Sequence, residues 1–287
     1  MKKNQIIERV IHGIFLITGL ITVACVALIT LYLVISGIPA IGKIGFVNFI
    51  FGKVWASTAK EPLYGIMPFI LTSFYGTAGA ILIGVPVGFL TSVYLSKIAN
   101  PKFKEVMESA VGLLAGIPSV VYGLVGMMVL VPGIRKIFHV PDGASLLASI
   151  LVLSVMILPS IIKMSITALD AVPKEYEDAS LALGATPIET YFRVSVPAAK
   201  SGIAAAVVLG VGRAIGEAMA VMMVAGNAPN MPSLFQSVRF LTTAVSSEMS
   251  YAGGLQREAL FSIALVLFVF IMIINGVLNL FLKRGKN

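Results

Sequence analysis

The stretch "EDASLALGATPIETYFRVSVP", Glu177 to Pro197, decides how this chain is read. It is charged and helix-capped, and apolar runs flank it on both sides. Pro173 opens the segment, a residue favoured at the first helical turn, and Lys174 to Leu183 contains no helix breaker. Ala179, Ala182 and Leu183 fall on one face, with Glu175 and Asp178 elsewhere on the turn. Gly184 supplies the backbone freedom that a helix end needs. Thr186-Pro187-Ile188-Glu189 then has the capping-box pattern, with proline at the first helical position. Pro197 ends or kinks the second piece. The residues therefore specify helix, tight turn, helix. Such a hairpin is either a helical connector or a short helix that docks into a groove of another protein.

The flanking sequence sets the environment. Of 287 residues, 58% are hydrophobic and 12% charged, against about 25% charged in soluble domains. That leaves too little polar surface to cover a globule, so the chain reads as an all-α integral membrane protein. A bilayer core of about 30 Å needs about 20 helical residues. Six candidates follow: Gly13–Ser36, Gly65–Tyr94, Ser109–Val131, Ser145–Ile162, Ile203–Ala225 and Ala259–Leu282. The fourth is short and carries Pro159 near its end. The first follows Lys2, Lys3 and Arg9, and Thr22-Val23-Ala24-Cys25 faintly resembles a lipoprotein cleavage site. The apolar run is longer than a signal-peptide core of about 7–15 residues, so it reads as a retained span.

The net charge of +8 is read as topology rather than nucleic-acid binding, because lysine and arginine concentrate in cytoplasmic loops. With the N-terminus inside, thirteen of the 21 basic residues fall inside and seven outside, with Arg213 within a span. Both termini and the hairpin are then cytoplasmic. The loop Gly226–Glu258, rich in Ser, Thr, Pro and Gly, lies outside. Cys25 is the single cysteine, and His12 and His139 are far apart, so neither a disulfide nor a metal site is expected. Gly37 to Ile44 nearly spells a nucleotide-binding loop but lacks the magnesium-holding Ser or Thr and contains Pro39. No catalytic residue and no cofactor is expected.

The fifth span reads "GVGRAIGEAMAVMMVAGN". Arg213 and Glu217 are four apart, so a continuous helix puts them on one face where they can pair. A charge at mid-bilayer costs about 2.5–3.5 kcal/mol on insertion scales and marks a functional site by default. A structural salt bridge, a proton relay and an anion contact by Arg213 each account for the pair. Arginine suits tetrahedral oxyanions because its planar fork donates two hydrogen bonds. In "AGIPSVVYG", Ala115 to Gly123, Pro118 interrupts helical hydrogen bonding, and Ser119 or water can compensate. That segment is either a kinked packing helix or a hinge lining a pathway.

The hairpin resembles the signature loop of ABC-importer permeases: Glu-Ala-Ala, three residues, Gly, nine residues, Ile-x-Leu-Pro. Here the positions are Asp178-Ala179-Ser180, Gly184 and Val194-Ser195-Val196-Pro197, with the spacing kept throughout. The resemblance implies the type I ABC importer permease fold. It also implies a coupling helix over residues 173–197 that meets an ATPase subunit through Glu177, Asp178, Ala179, Ser180, Gly184 and Pro197. "GRAIGEAMAVMMVAGN", "LLAGIPSVVYGLVG", the stretch Tyr64 to Ser96 and "LTTAVSSEM" are similar to phosphate-specific importers, in particular their PstC-type permeases. What this implies is an ATP-driven phosphate permease whose pathway includes Arg213, Glu217, Pro118 and Ser119. It implies a second permease of PstA type, two ATPase subunits of PstB type and an external phosphate-binding protein of PstS type. Residues 1–62 are then an N-terminal helix with an external loop, and residues 63–287 the permease domain. The alternatives are a permease for another oxyanion, molybdate or sulfate, and a proton-coupled secondary anion transporter.

Overall fold

The computed structural model describes residues 2–284. Met1 and residues 285–287, which the expected domain ranges include, lie outside them. Helix α1 (Lys2–Ile44) has 43 residues and so runs about 65 Å. It continues through Pro39, so the near-match to a nucleotide loop is helical. A short helix α2 (Phe46–Phe51) and a two-stranded antiparallel hairpin, β1 (Trp55–Ala56) with β2 (Leu63–Tyr64), lead into α3 (Met67–Val93). A π-helical turn over Tyr94–Ile98 extends α3. Then come α4 (Pro101–Gly116), α5 (Ser119–Val125), a π-helical turn over Gly126–Leu130, and α6 (Val131–Phe138). Helix α7 (Leu146–Asp170) precedes the polar hairpin, made of α8 (Lys174–Ala182), α9 (Pro187–Thr190), a π-helical turn and α10 (Val196–Ala198). Helices α11 (Lys200–Gly216), α12 (Met219–Val224), α13 (Leu241–Glu248) and α14 (Gly254–Arg284) follow.

Among the described residues, five segments are long and apolar enough to cross a membrane: Val10–Ile44, Met67–Ile98, Ser119–Phe138, Leu146–Asp170 and Gly254–Leu278. A sixth arises if Pro187–Ala198 and Lys200–Gly216, bent by 72°, count as one. Three expected spans need correction. The third, Ser109–Val131, is broken: α4 ends at Gly116, Ile117 and Pro118 are extended, and α5 starts at Ser119. Proline lacks an N–H and pushes the residue before it out of the helical region. The fourth is longer than Ser145–Ile162, because Pro159 sits inside α7 without ending it. The fifth, Ile203–Ala225, is broken at Glu217 and Ala218.

Helix α7 is the centre of the bundle, with Leu153, Met156, Ile157, Ile161 and Leu169 fully buried. It runs parallel to α3, because Gly76 faces Leu146, Gly84 faces Ile157 and Gly88 faces Ile161. A Cβ on Gly84 would lie 2.6 Å from Ile157 Cδ1 and 3.1 Å from Ser154 O, so the missing side chain lets the two helices approach closely. Helix α11 runs antiparallel to α7, with Gly202 against Ala168 and Gly210 against Ile161. Two buried serines of α7 satisfy themselves locally, Ser149 Oγ on Ser145 O at 3.0 Å and Ser154 Oγ on Ile150 O at 2.6 Å. Helix α1 stands at the edge and meets the bundle through α14. Gly37 lies against Phe261 and Ser262, Tyr32 packs edge-on to Phe261, and Lys43 pairs with Glu258. Many of its apolar side chains, such as Phe15 and Leu20, are exposed, as suits a lipid-facing helix.

Candidate functional site

Two broken spans meet in this fold. Helix α11 stops at Gly216, and Glu217 is extended at φ −73°, ψ 127°. Its carboxylate then turns forward, and Oε1 accepts the Ala220 N–H at 2.9 Å, capping the first turn of α12. Thr242 Oγ1 of α13 donates to the Glu217 carbonyl at 2.8 Å and holds the break from outside. In the other span, the carbonyl of Leu114 would accept from residue 118 in a continuous helix, but Pro118 has no N–H. Tyr122 supplies the missing donor, its hydroxyl reaching Leu114 O at 2.7 Å. The half-helices α5 and α12 pack backbone to backbone: a Cβ on Gly123 would lie 2.8 Å from Ala220 Cα.

The expected pairing of Arg213 with Glu217 does not form. A shared face requires helix through residue 217, and the helix ends one residue earlier. The guanidinium instead donates from Nη1 to Ser160 Oγ of α7 at 3.4 Å. Among the described residues no carboxylate forms an ion pair with Arg213. A half-buried guanidinium without a counter-ion can meet an anion that enters between the breaks. Pro118 marks the first break and is exposed, and Ser119 starts α5 but makes no side-chain hydrogen bond among the described residues. Tyr122, not Ser119, compensates the proline. Tyr122, Ser160 and Thr242 escaped sequence reasoning. Tyr122, four residues after Pro118, carried a readable signal, whereas Ser160 and Thr242 reach the site only through the tertiary fold.

The polar hairpin forms as its residues direct. Gly184 takes φ 86°, the left-handed conformation that favours glycine. Thr186 Oγ1 accepts the Glu189 N–H, and Glu189 Oε2 accepts the Thr186 N–H at 3.0 Å, closing the capping box. Ser180 and Thr190 hydroxyls, 2.9 Å apart, clip α8 to α9. Asp178, Ala179, Gly184 and Pro197 are exposed. Leu183 at the tip is 90% exposed, and Tyr176 and Ile188 are also uncovered, so the hairpin presents an apolar patch away from the bundle. Pro197 lies inside α10, and the bend falls two residues later at Ala199. Glu177, expected among the contact residues, points the other way. Its Oε1 meets Lys97 Nζ at 2.6 Å and accepts from Ser195 Oγ at 2.8 Å. It ties the hairpin to the end of α3, because a mostly buried ammonium needs a counter-ion there.

At the opposite end, the segment Gly226–Glu258 is more than a solvated loop. Leu241, Thr243 and Ala244 are fully buried, and the Leu241 N–H donates to Ser73 Oγ of α3 at 3.0 Å. Glu248 gathers Arg239, the Trp55 indole N–H and the Gln256 amide.

Apolar spans, a polar hairpin at one end and paired helix breaks between the ends define a multi-pass membrane component of a transport system. The family of binding-protein-dependent transport system inner membrane components matches residues 84–286, and the chain belongs to it. A probable ABC transporter permease of Bacillus subtilis, YqgH, is 39% identical over 96% of this chain and 92% of that protein. The phosphate transport system permease PstC of Haemophilus influenzae is 32% identical over 88% of this chain and 85% of its own length. Among solved structures, a bacterial alginate ABC transporter in complex with its alginate-bound periplasmic protein aligns with TM-score 0.61 at 16% identity, covering 95% of this chain and 94% of that one. The MetNI methionine ABC transporter, facing inward, aligns with TM-score 0.58 at 22% identity over 78% and 95%. The fold is that of type I ABC importer permeases, and the chain is an ABC importer permease of the inner membrane.

Proposed function

We propose that this permease moves inorganic phosphate inward by alternating access. The observation that carries the reading is Arg213, a guanidinium four residues before the break at Glu217 that no carboxylate pairs with among the described residues. A dianionic tetrahedral oxyanion matches a forked donor of this kind. Similarity to PstC permeases over most of the chain supports phosphate among the oxyanions. Molybdate and sulfate share the tetrahedral chemistry and form the second reading. A proton relay between Arg213 and Glu217 is not favoured, because Glu217 is engaged in capping α12.

In this reading Arg213 compensates the anion as it passes, and Pro118 and Ser119 set the hinge opposite. Asp178, Ala179, Ser180, Gly184 and Pro197 form the coupling segment, whose exposed apolar tip suits a groove on an ATPase of PstB type. A PstA-type permease completes the pathway, and a PstS-type protein delivers phosphate to the end that carries Glu248. Both termini then lie in the cytoplasm. Residues 1–62 form an N-terminal helix and external loop attached to a permease domain over 63–287, the two sharing the β1–β2 hairpin. The test is uptake of radiolabelled phosphate into proteoliposomes holding the four-component complex, with ATP inside and sulfate or molybdate as competitors. ATP-dependent uptake that resists both competitors is expected. Uptake that ignores ATP and follows a pH gradient refutes the reading.

A further inference from the structure

Where α1 ends, α2 folds back against the start of α3 and borders an open cavity of about 660 Å³. Its lining contains two ammonium groups, Lys43 and Lys53, and no carboxylate. Lys43 is bridged to Glu258, which lies outside the lining. Lys53 has no ion-pair partner among the described residues. Tyr64 also lines the cavity. It is only 7% exposed, and its hydroxyl finds no hydrogen-bond partner among the described residues. The hydroxyl oxygen keeps some solvent contact and is free to donate to a group that enters the cavity. The cavity therefore offers one uncommitted cation and one uncommitted donor.

The surroundings say which ligand. Val47 and Phe51 of α2 line the cavity and, with Phe46, are exposed. They continue an exposed apolar surface of α1 that includes Leu31, Ile35 and Ile38. Aromatic residues and lysines at the end of a span suit the membrane–water boundary. A ligand here has a charged head among Lys53 and Tyr64 and apolar chains along α1. We infer that the cavity holds the phosphodiester headgroup of an anionic phospholipid from the leaflet opposite the polar hairpin. Lys53 neutralises the headgroup, and the Tyr64 hydroxyl donates to a phosphate oxygen. The lipid anchors the start of α3 to the bilayer edge, beside the β1–β2 hairpin.

Trp55 is the only tryptophan, and its ring centroid lies 5.5 Å from that of Tyr64. Its fluorescence therefore reports on the cavity without any transport assay. The purified full-length chain in bilayer discs would be titrated with phosphatidylglycerol brominated high on the acyl chain, and in parallel with brominated phosphatidylcholine. Quenching by the anionic lipid is expected at a roughly five-fold lower mole fraction, the worth of one lysine near an anionic surface. Lys53→Gln is expected to remove that preference, and it leaves the Lys43–Glu258 pair intact. Tyr64→Phe keeps the ring beside Trp55 and weakens quenching by both lipids. Equal quenching by the two lipids, or a preference that survives Lys53→Gln, overturns the inference. Inorganic phosphate that erases the preference when chloride of equal ionic strength does not would assign the cavity to the free anion, and overturn it too.

Discussion

The Lys97 ammonium and the Glu177 carboxylate meet at 2.6 Å beneath the polar hairpin, with side chains 10% and 18% exposed. Ser195 donates to the same carboxylate oxygen from the far arm. Three elements thus converge on one atom: the end of α3, helix α8 and the turn before α10. This contact ties both arms of the hairpin to the end of α3.

Glu177→Ala leaves Lys97 buried without a counter-ion, at a cost of about 3 kcal/mol for a pair of this kind. The expected outcome is a chain that still inserts but loses the fixed orientation of the hairpin. ATP-dependent uptake falls while the binding of external solute protein persists. The double variant Lys97→Gln, Glu177→Gln is expected to be milder than either single change. Additive losses in that cycle would show that the two residues act separately.

Arg213→Ala is expected to lower phosphate uptake by about ten-fold or more, in line with about 1.5–3 kcal/mol for one charge-assisted hydrogen bond. Arg213→Lys keeps the charge but loses the fork, so it restores uptake only in part. Ser160→Ala releases one guanidinium nitrogen and gives a smaller loss. An assembled Arg213→Ala complex that transports at the normal rate would remove Arg213 from the pathway.

Tyr122→Phe strips the Leu114 carbonyl of its hydroxyl donor. Since Ile117 N–H also reaches that carbonyl at 3.2 Å, the expected cost is about 1 kcal/mol, read as a lower thermal midpoint in detergent. Adding Pro118→Ala returns a backbone donor at position 118. The double variant Pro118→Ala, Tyr122→Phe is therefore expected to be more stable than Tyr122→Phe alone. The reverse order would mean that the break is not set by the proline.

Gly123→Ala and Gly216→Ala form a matched pair. The first places a methyl group 2.8 Å from Ala220 Cα and must separate α5 from α12. The second meets nothing within 4 Å. Gly123→Ala is expected to reduce both stability and uptake. Gly216→Ala adds about 1 kcal/mol of helix propensity at the end of α11 and leaves the packing intact. It favours extending the helix to Glu217, toward Arg213, and is expected to slow uptake without lowering the thermal midpoint. A cysteine cross-linking scan across residues 213–220 reads the change in helix continuity.

The local features were legible along the chain, because each depends on residues a few positions apart. The apolar runs place the spans, Gly184 and the Thr186–Glu189 box form the hairpin, and its exposed tip follows from Leu183 and Ile188. Where long-range contacts compete with local ones, the residues alone were insufficient. Arg213 and Glu217 have the spacing of a helical pair, yet Glu217 caps α12 while Thr242, twenty-five residues on, grips its carbonyl. Ser160 comes from another helix, and Glu177 turns inward because Lys97, eighty residues earlier, is buried there. Sequence by itself determined that this is a membrane helix bundle with a polar hairpin, since hydrophobicity and capping are local quantities. Only the tertiary structure decided where the spans break and which partner each charge takes, since a desolvated polar group binds whatever donor or acceptor the packed helices bring to it.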